Sequence, residues 1–189
     1  ATSHVIEGKW PRTALIGKEI SGKTLGVIGY GGIAREVETR ATVMGVRVIA
    51  YDPYVSNDNS FVGSAALVQL DELLTASDAI SLHLPLTSET RGLISHEHLA
   101  KMKPGSVLIN TSRGGIVDEG ALVAALRSNR LSGAAIDVYE HEPLTEVEAR
   151  QFEGIDNLIL TPHIAGITEE ANARISEMIV KKMINHFRH

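Results

Sequence analysis

Three ionisable side chains on separate short tracts could share one reaction. Arg113 lies in Thr111-Ser112-Arg113-Gly114-Gly115, Glu142 in Asp137-Val138-Tyr139-Glu140-His141-Glu142-Pro143, and His163 in Thr161-Pro162-His163-Ile164-Ala165-Gly166. An imidazole can give or take a proton near neutral pH. A carboxylate beside it would hold its tautomer and favour its charged form. An arginine offers a planar fork that grips a substrate carboxylate and carbonyl together. Each residue also has a plain reading. His163 could be a capping or core histidine, Glu142 a solvated loop acid, and Arg113 half of a surface ion pair.

A fourth tract says what such a trio would act beside. Gly29-Tyr30-Gly31-Gly32-Ile33-Ala34 follows an apolar run and opens a helical pattern. Gly29 allows a tight turn, Gly31 lets the backbone approach a pyrophosphate, and Ala34 permits close helix–strand packing. The helix start at Gly32 and Ile33 offers free N–H groups to phosphates. Asp52 follows Ala34 by eighteen residues, at the end of the next apolar run. An acid there hydrogen-bonds the ribose hydroxyls of NAD and repels the extra phosphate of NADP. No Arg or Lys lies between 48 and 90 to neutralise that phosphate. The plain readings are a glycine-rich turn without ligand, and for Asp52 a turn-former before Pro53. Taken together, the trio and the glycine tract point to hydride transfer on a 2-hydroxy or 2-keto acid.

The elements that must position these residues alternate. Strands are expected at 24–28, 47–51, 78–82, 106–110, 133–138 and 158–160. Helices are expected at 32–44, 70–76, 96–102 (capped by Ser95) and 118–129, with a polar loop from Ser56 to Ser60. Strands apolar on both faces and separated by helices make a parallel sheet covered on both sides. The fold class is therefore α/β, a doubly wound parallel sheet of the Rossmann type, with residues 1–189 as one NAD-binding domain. A last helix runs from about Thr168, its cap, to the end. Ala171, Ile175, Ile179, Met183 and Phe187 form an apolar stripe along it. At about 30 Å it is long enough to run past the edge of its own domain. A polar, turn-rich lead occupies the first twenty or so residues. The start at Ala1 and the helical finish at Phe187-Arg188-His189 read as the ends of a piece of a longer protein.

Composition removes other classes. The chain has 189 residues, 43% of them hydrophobic, enough for a real core. Its net charge is −5 and it holds no run of five like charges, which leaves no electrostatic footprint for nucleic acid. No apolar stretch reaches a membrane-spanning length, and no signal-peptide pattern opens the chain. Zero cysteines excludes disulfides and thiolate metal sites and fits a cytoplasmic protein. Among eight histidines, His96 and His98 alone have a suggestive spacing, and they read as solvated residues of a surface helix. No metal is expected.

The chain resembles the D-isomer-specific 2-hydroxyacid dehydrogenases, a family that includes phosphoglycerate dehydrogenase. Five tracts in order carry the resemblance: Gly29 to Ala34, Leu82-His83-Leu84-Pro85-Leu86-Thr87, Asn110 to Glu119, Gly133 to Pro143, and Thr161 to Gly166. It implies NAD as cofactor and His163, Glu142 and Arg113 as the catalytic residues. It implies cofactor contacts from Gly29, Tyr30, Gly31, Gly32, Ile33, Asp52, His83, Pro85, Thr111, Ser112, Arg113, Asp137, His163 and Gly166. Asp137 would meet the nicotinamide carboxamide, Thr111 and Ser112 would use their backbone, and Gly166 would leave room for the ring. Leu82 to Pro85 would flank the adenosine, with His83 mainly structural and His141 only a neighbour of the acid. The substrate would be a small 2-hydroxy or 2-keto acid, phosphoglycerate-like or related. The family's two-domain architecture makes residues 1–20 a lead segment and 168–189 a helix directed toward a substrate domain. It also implies a homodimer, with Trp10 in the lead as a partner-facing anchor. Two rivals stand beside this reading. One is a non-catalytic NAD(H)-sensing interaction protein of the same fold, and the other a methyltransferase with a similar glycine turn.

Overall fold

A computed structural model of the chain describes residues 2–55 and 63–187. Seven parallel strands form one sheet: β1 (Thr24–Ile28), β2 (Arg47–Tyr51), β3 (Ala66–Leu67), β4 (Ala79–Leu82), β5 (Ser106–Asn110), β6 (Leu131–Ile136) and β7 (Leu158–Leu160). The helices are α1 (Thr2–Ile6), α2 (Gly32–Val43), α3 (Leu70–Ala76), α4 (His96–Lys101), α5 (Glu119–Arg127), α6 (Glu146–Ala149) and α7 (Glu169–Phe187). A 3₁₀ turn at Arg150–Phe152 follows α6.

The strand order is β3-β2-β1-β4-β5-β6-β7. The winding reverses between β1 and β4, and open α/β sheets bind ligands at the strand ends beside such a reversal. Gly29 follows β1 there and His83 follows β4. The backbones of these two residues approach closely: a Cβ on Gly29 would lie 2.5 Å from the His83 carbonyl oxygen. Gly29 also has φ +86°, a conformation that only glycine adopts freely.

The core is unequal on the two faces. Leu73, Leu74, Leu99, Met102, Leu122 and Leu126 from α3, α4 and α5 and the turn after α4 are buried with Ile28, Ile80 and Leu108 from the sheet. Ala34 and Ala41 of α2 pack with Val27, Tyr30, Val48 and Ala50 in a smaller cluster. The expectation of full cover on both faces is thus met unevenly. No residue of α7 is buried, and its Ile175, Met178, Ile179 and Met183 are about half exposed. The apolar stripe was legible, but its packing partner is not among the described residues.

Element boundaries moved by a residue or two. The strand expected at 133–138 is Leu131–Ile136, so Asp137 and Val138 belong to the loop after it. The lead contains the short helix α1, and the two-residue β3 was missed, being too short to show a period. Thr168 caps α7 by accepting from the Ala171 N–H at 3.0 Å. Ser95 makes no side-chain cap to α4; its hydroxyl meets His98 Nδ1 at 2.9 Å, so His98 is half-buried rather than solvated. The loop expected from Ser56 to Ser60 lies outside the described residues.

Candidate active site

The chemistry-bearing tracts follow strand ends on one edge of the sheet. The loop after β5 carries Arg113, and Asn110, the last residue of that strand, shapes it. Asn110 is buried, accepts from the Ser112 N–H at 3.1 Å and hydroxyl at 2.8 Å, and donates to the Arg113 carbonyl at 3.0 Å. Its amide oxygen and one amide N–H are spent on a local turn, the role for which Asx residues are suited. Sequence reading placed Asn110 in a family tract but gave it no task; a buried Asx at a strand end was the available signal. Thr111 is exposed and Ser112 buried. Arg113 is exposed, forms no ion pair among the described residues, and turns one guanidinium nitrogen back to the Ser112 carbonyl at 2.5 Å. The plain reading of Arg113 as half of a surface ion pair therefore finds no partner here.

Gly114 brings this loop against the next. Any Cβ on Gly114 would run into the carbonyl of Tyr139. Tyr139 is buried, stacks edge-on to Phe152 at 6.2 Å, and donates its hydroxyl to the Thr161 carbonyl at 2.9 Å. One aromatic residue therefore joins the loops after β5, β6 and β7. Tyr139 is a second positioning residue that sequence reasoning missed, since its partners are remote in the chain.

Glu142 and His163 meet across those loops. His163 Nδ1 lies 2.7 Å from Glu142 Oε2, and Glu142 Oε1 accepts the Tyr139 N–H at 2.9 Å. Hydrogen bonding from His163, then from the Tyr139 backbone, holds the Glu142 carboxyl below its ordinary range. With Nδ1 engaged, Nε2 is the ring atom free to exchange a proton outward. His163 is half exposed and borders a depression of about 390 Å³ with Tyr139, Pro143, Leu144 and Leu160. His141 pairs loosely with Glu148 at 3.5 Å and takes no part in the pair.

His163 sits at φ +54°, in the left-handed region. Asp137 supplies the restraint that this conformation needs. Its Oδ1 accepts from the Thr161 hydroxyl at 2.5 Å and the Ile164 N–H at 2.9 Å, and its Oδ2 from the Ala165 N–H at 2.9 Å. Burial pushes the Asp137 carboxyl up, but these bonds outweigh it and hold it below the usual range. Asp137 is thus committed to the loop that carries His163.

The glycine tract has the form of a dinucleotide cradle. Gly31 and Gly32 are exposed, and a Cβ on either would meet nothing within 4 Å. Gly31 provides α2 with no side-chain cap, so the helix N-terminus and the exposed Ile33 are open to a phosphate. A cavity of about 330 Å³ runs from Gly29 and Gly31 past Asp52 and Tyr54 to His83 and Pro85. Asp52 is not an unpaired acid. Its Oδ2 accepts the Tyr30 N–H at 2.8 Å and its Oδ1 the Tyr54 N–H at 2.9 Å, which leaves one acceptor position on each oxygen for a ribose. The Tyr30 side chain is fully buried with its hydroxyl on Glu38, so only its backbone in the glycine turn is left to face a dinucleotide. His83 rests on the Ser81 hydroxyl at 3.0 Å, and burial lowers its pKa, which favours the neutral ring. Gly166 is exposed with open space around it. No cluster of three or more potential metal ligands occurs among the described residues, and no helix of those residues is long and apolar enough to cross a membrane.

Known proteins match this chain in sequence and fold. Residues 1–165 match the family described as "D-isomer specific 2-hydroxyacid dehydrogenase, NAD binding domain". The (S)-sulfolactate dehydrogenase of Chromohalobacter salexigens is 51% identical over 181 residues, 95% of this chain and 58% of that protein. The hydroxypyruvate reductase of Thermotoga maritima is 45% identical over 183 residues, 97% of this chain and 59% of that protein. The crystal structure of D-lactate dehydrogenase from Aquifex aeolicus, complexed with NAD and lactic acid, superposes with a TM-score of 0.87 at 34% identity. The superposition covers 99% of this chain and 60% of that one. The chain therefore spans about three fifths of the length of these relatives.

Proposed function

The chain belongs to the D-isomer specific 2-hydroxyacid dehydrogenases as their NAD-binding domain, and from that premise we propose that its parent protein interconverts a small 2-hydroxy acid and its 2-keto acid. The observation that carries the proposal is the His163–Glu142 pair at 2.7 Å, built on the same sheet edge as the open glycine turn. NAD supplies the hydride acceptor and, when reduced, the hydride donor.

Gly31, Gly32 and Ile33 would hold the pyrophosphate at the helix N-terminus, and Asp52 the adenosine ribose. Thr111, Ser112, Asp137 and Gly166 would border the nicotinamide. Arg113 would fork onto the substrate carboxylate and carbonyl, which orients the carbonyl carbon. In the reducing direction protonated His163 gives a proton from Nε2 to the developing alkoxide, while Glu142 holds Nδ1 and stabilises the imidazolium. In the oxidising direction the same nitrogen takes that proton back.

The proposal extends to a homodimer in the cytoplasm. Trp10, Ile6 and Ile16 of the lead are exposed by more than three quarters, a surface suited to a second copy. The cysteine-free sequence supports the location. The family resemblance and the sulfolactate dehydrogenase relative favour a phosphoglycerate-like or sulfonated acid among the substrates to try first.

The test is NADH oxidation by the intact parent protein with a panel of 2-keto acids. Turnover with at least one acid, depressed about 10²–10⁴-fold by His163→Ala, is the expected result. Tight NADH binding with no turnover on any acid would favour the non-catalytic NAD(H)-sensing alternative.

A further inference from the structure

Glu38 is a buried carboxylate with no cation within ion-pair distance among the described residues. It lies on α2 between Ala34 and Ala41 of the smaller apolar cluster and is 4% exposed. Charge in such a place is unfavourable unless hydrogen bonds satisfy it. Here they do. The Tyr30 hydroxyl donates to Oε2, and the Ser64 hydroxyl donates to Oε1 at 2.6 Å. Burial pushes the Glu38 carboxyl up, but these donors hold it below its ordinary range, while burial and Glu38 push Tyr30 up to about 12. Gly63 closes the cluster, because any Cβ there would run into Tyr30 Oη and Glu38 Oε2.

This cluster ties together three pieces that border the adenosine half of the cavity. Tyr30 is the middle residue of the glycine turn. Its buried hydroxyl is fixed by Glu38, and its backbone N–H is fixed by the acid Asp52 at 2.8 Å. Ser64 and Ala65 lead into β3, which pairs with β2 (Ile49↔Ala66, Ala50↔Leu67), the strand that ends just before Asp52. The side chain of Tyr30 touches nothing in the cavity, yet it sets where the turn and Asp52 stand. We propose that the Tyr30–Glu38–Ser64 cluster is a positioning device for the dinucleotide, which holds the glycine turn and Asp52 in the geometry that receives the adenosine diphosphate half.

The inference rests on the NAD-binding role of the chain, and its test separates the two. The chain, Tyr30→Phe and Ser64→Ala are titrated calorimetrically with NADH and with ADP-ribose, and their thermal unfolding is followed in parallel. Tyr30→Phe keeps the ring that fills the core, and Ser64→Ala removes a hydroxyl near the surface, so at least one variant stays folded. Loss of one hydrogen bond to the carboxylate raises Kd about three- to tenfold. The same factor is expected for both ligands, since both contain the positioned half. Wild-type affinity for both ligands in folded variants, whatever their melting temperature, would overturn the proposal and leave NAD binding intact. A wild-type chain that takes neither ligand would overturn the binding role itself.

Discussion

Glu142 Oε2 stands 2.7 Å from His163 Nδ1, although 21 residues separate the two in sequence and they lie on loops after different strands. The other carboxylate oxygen is held by the Tyr139 N–H, so the acid is oriented before the histidine meets it. Glu142→Gln keeps the size and removes the charge that favours an imidazolium. Keto-acid reduction by this variant of the intact enzyme should be slower than wild type, because the neutral amide no longer stabilises the charge that His163 carries as proton donor. His163→Ala should depress the rate about 10²–10⁴-fold at every pH. An unchanged rate for Glu142→Gln, measured with one good keto acid, would show that the pair does not act as a unit.

Acid should destabilise the domain through carboxylates held below their ordinary range. Asp78 accepts the Thr24 N–H and the Lys103 ammonium, Asp137 holds the His163 loop, and Glu142 holds His163. A depressed folded-state pKa stabilises the fold above the unfolded value, about 4, and that stability is lost as pH falls through the folded value. The melting temperature should therefore be flat near neutrality and fall below about pH 4. Asp137→Asn should be less stable at pH 7 and show a shallower acid loss. Parallel curves for wild type and variant would count against this account of Asp137.

Cofactor choice should follow Asp52. Its two oxygens are fixed by Tyr30 and Tyr54, so the charge cannot swing away from a phosphate on the ribose. NADH should bind at least tenfold more tightly than NADPH, on the order of 1.4 kcal/mol, and Asp52→Ala should narrow the gap. Equal affinities in the wild-type chain, by fluorescence titration, would reject the assignment.

Gly114 should tolerate no side chain. Its Cβ would meet the carbonyl of Tyr139, which is backbone and cannot swing aside. Gly114→Ala should destabilise the domain by about 1–3 kcal/mol in urea unfolding and misplace Arg113. Gly31→Ala, with open space at its Cβ, should leave stability nearly unchanged while weakening NADH. Equal stabilities for the two variants would mean that the loops after β5 and β6 do not touch as described.

Sedimentation tests the exposed lead. A two-fold dimer at micromolar concentration is expected, weakened by Trp10→Ala. A monomer near the chain mass of 20.4 kDa would remove the lead as a dimer surface.

The sequence by itself determined the main elements and named the candidate chemical residues. Apolar runs of strand length, each followed by a helical period, allow only a parallel sheet. The glycine turn and Asp52 name a ligand because their spacing is local to one βαβ unit. Arg113, Glu142 and His163 were legible as residue types on family tracts. Only the tertiary structure decided how Glu142 and His163 meet, because hydrogen bonds between loops have no sequence period. It made Asp137 a clamp on the loop of His163, set the Tyr30 hydroxyl on Glu38, and gave Asn110 and Tyr139 their tasks. A buried polar atom must find a partner wherever the fold puts one, and that partner is set by packing rather than by distance along the chain.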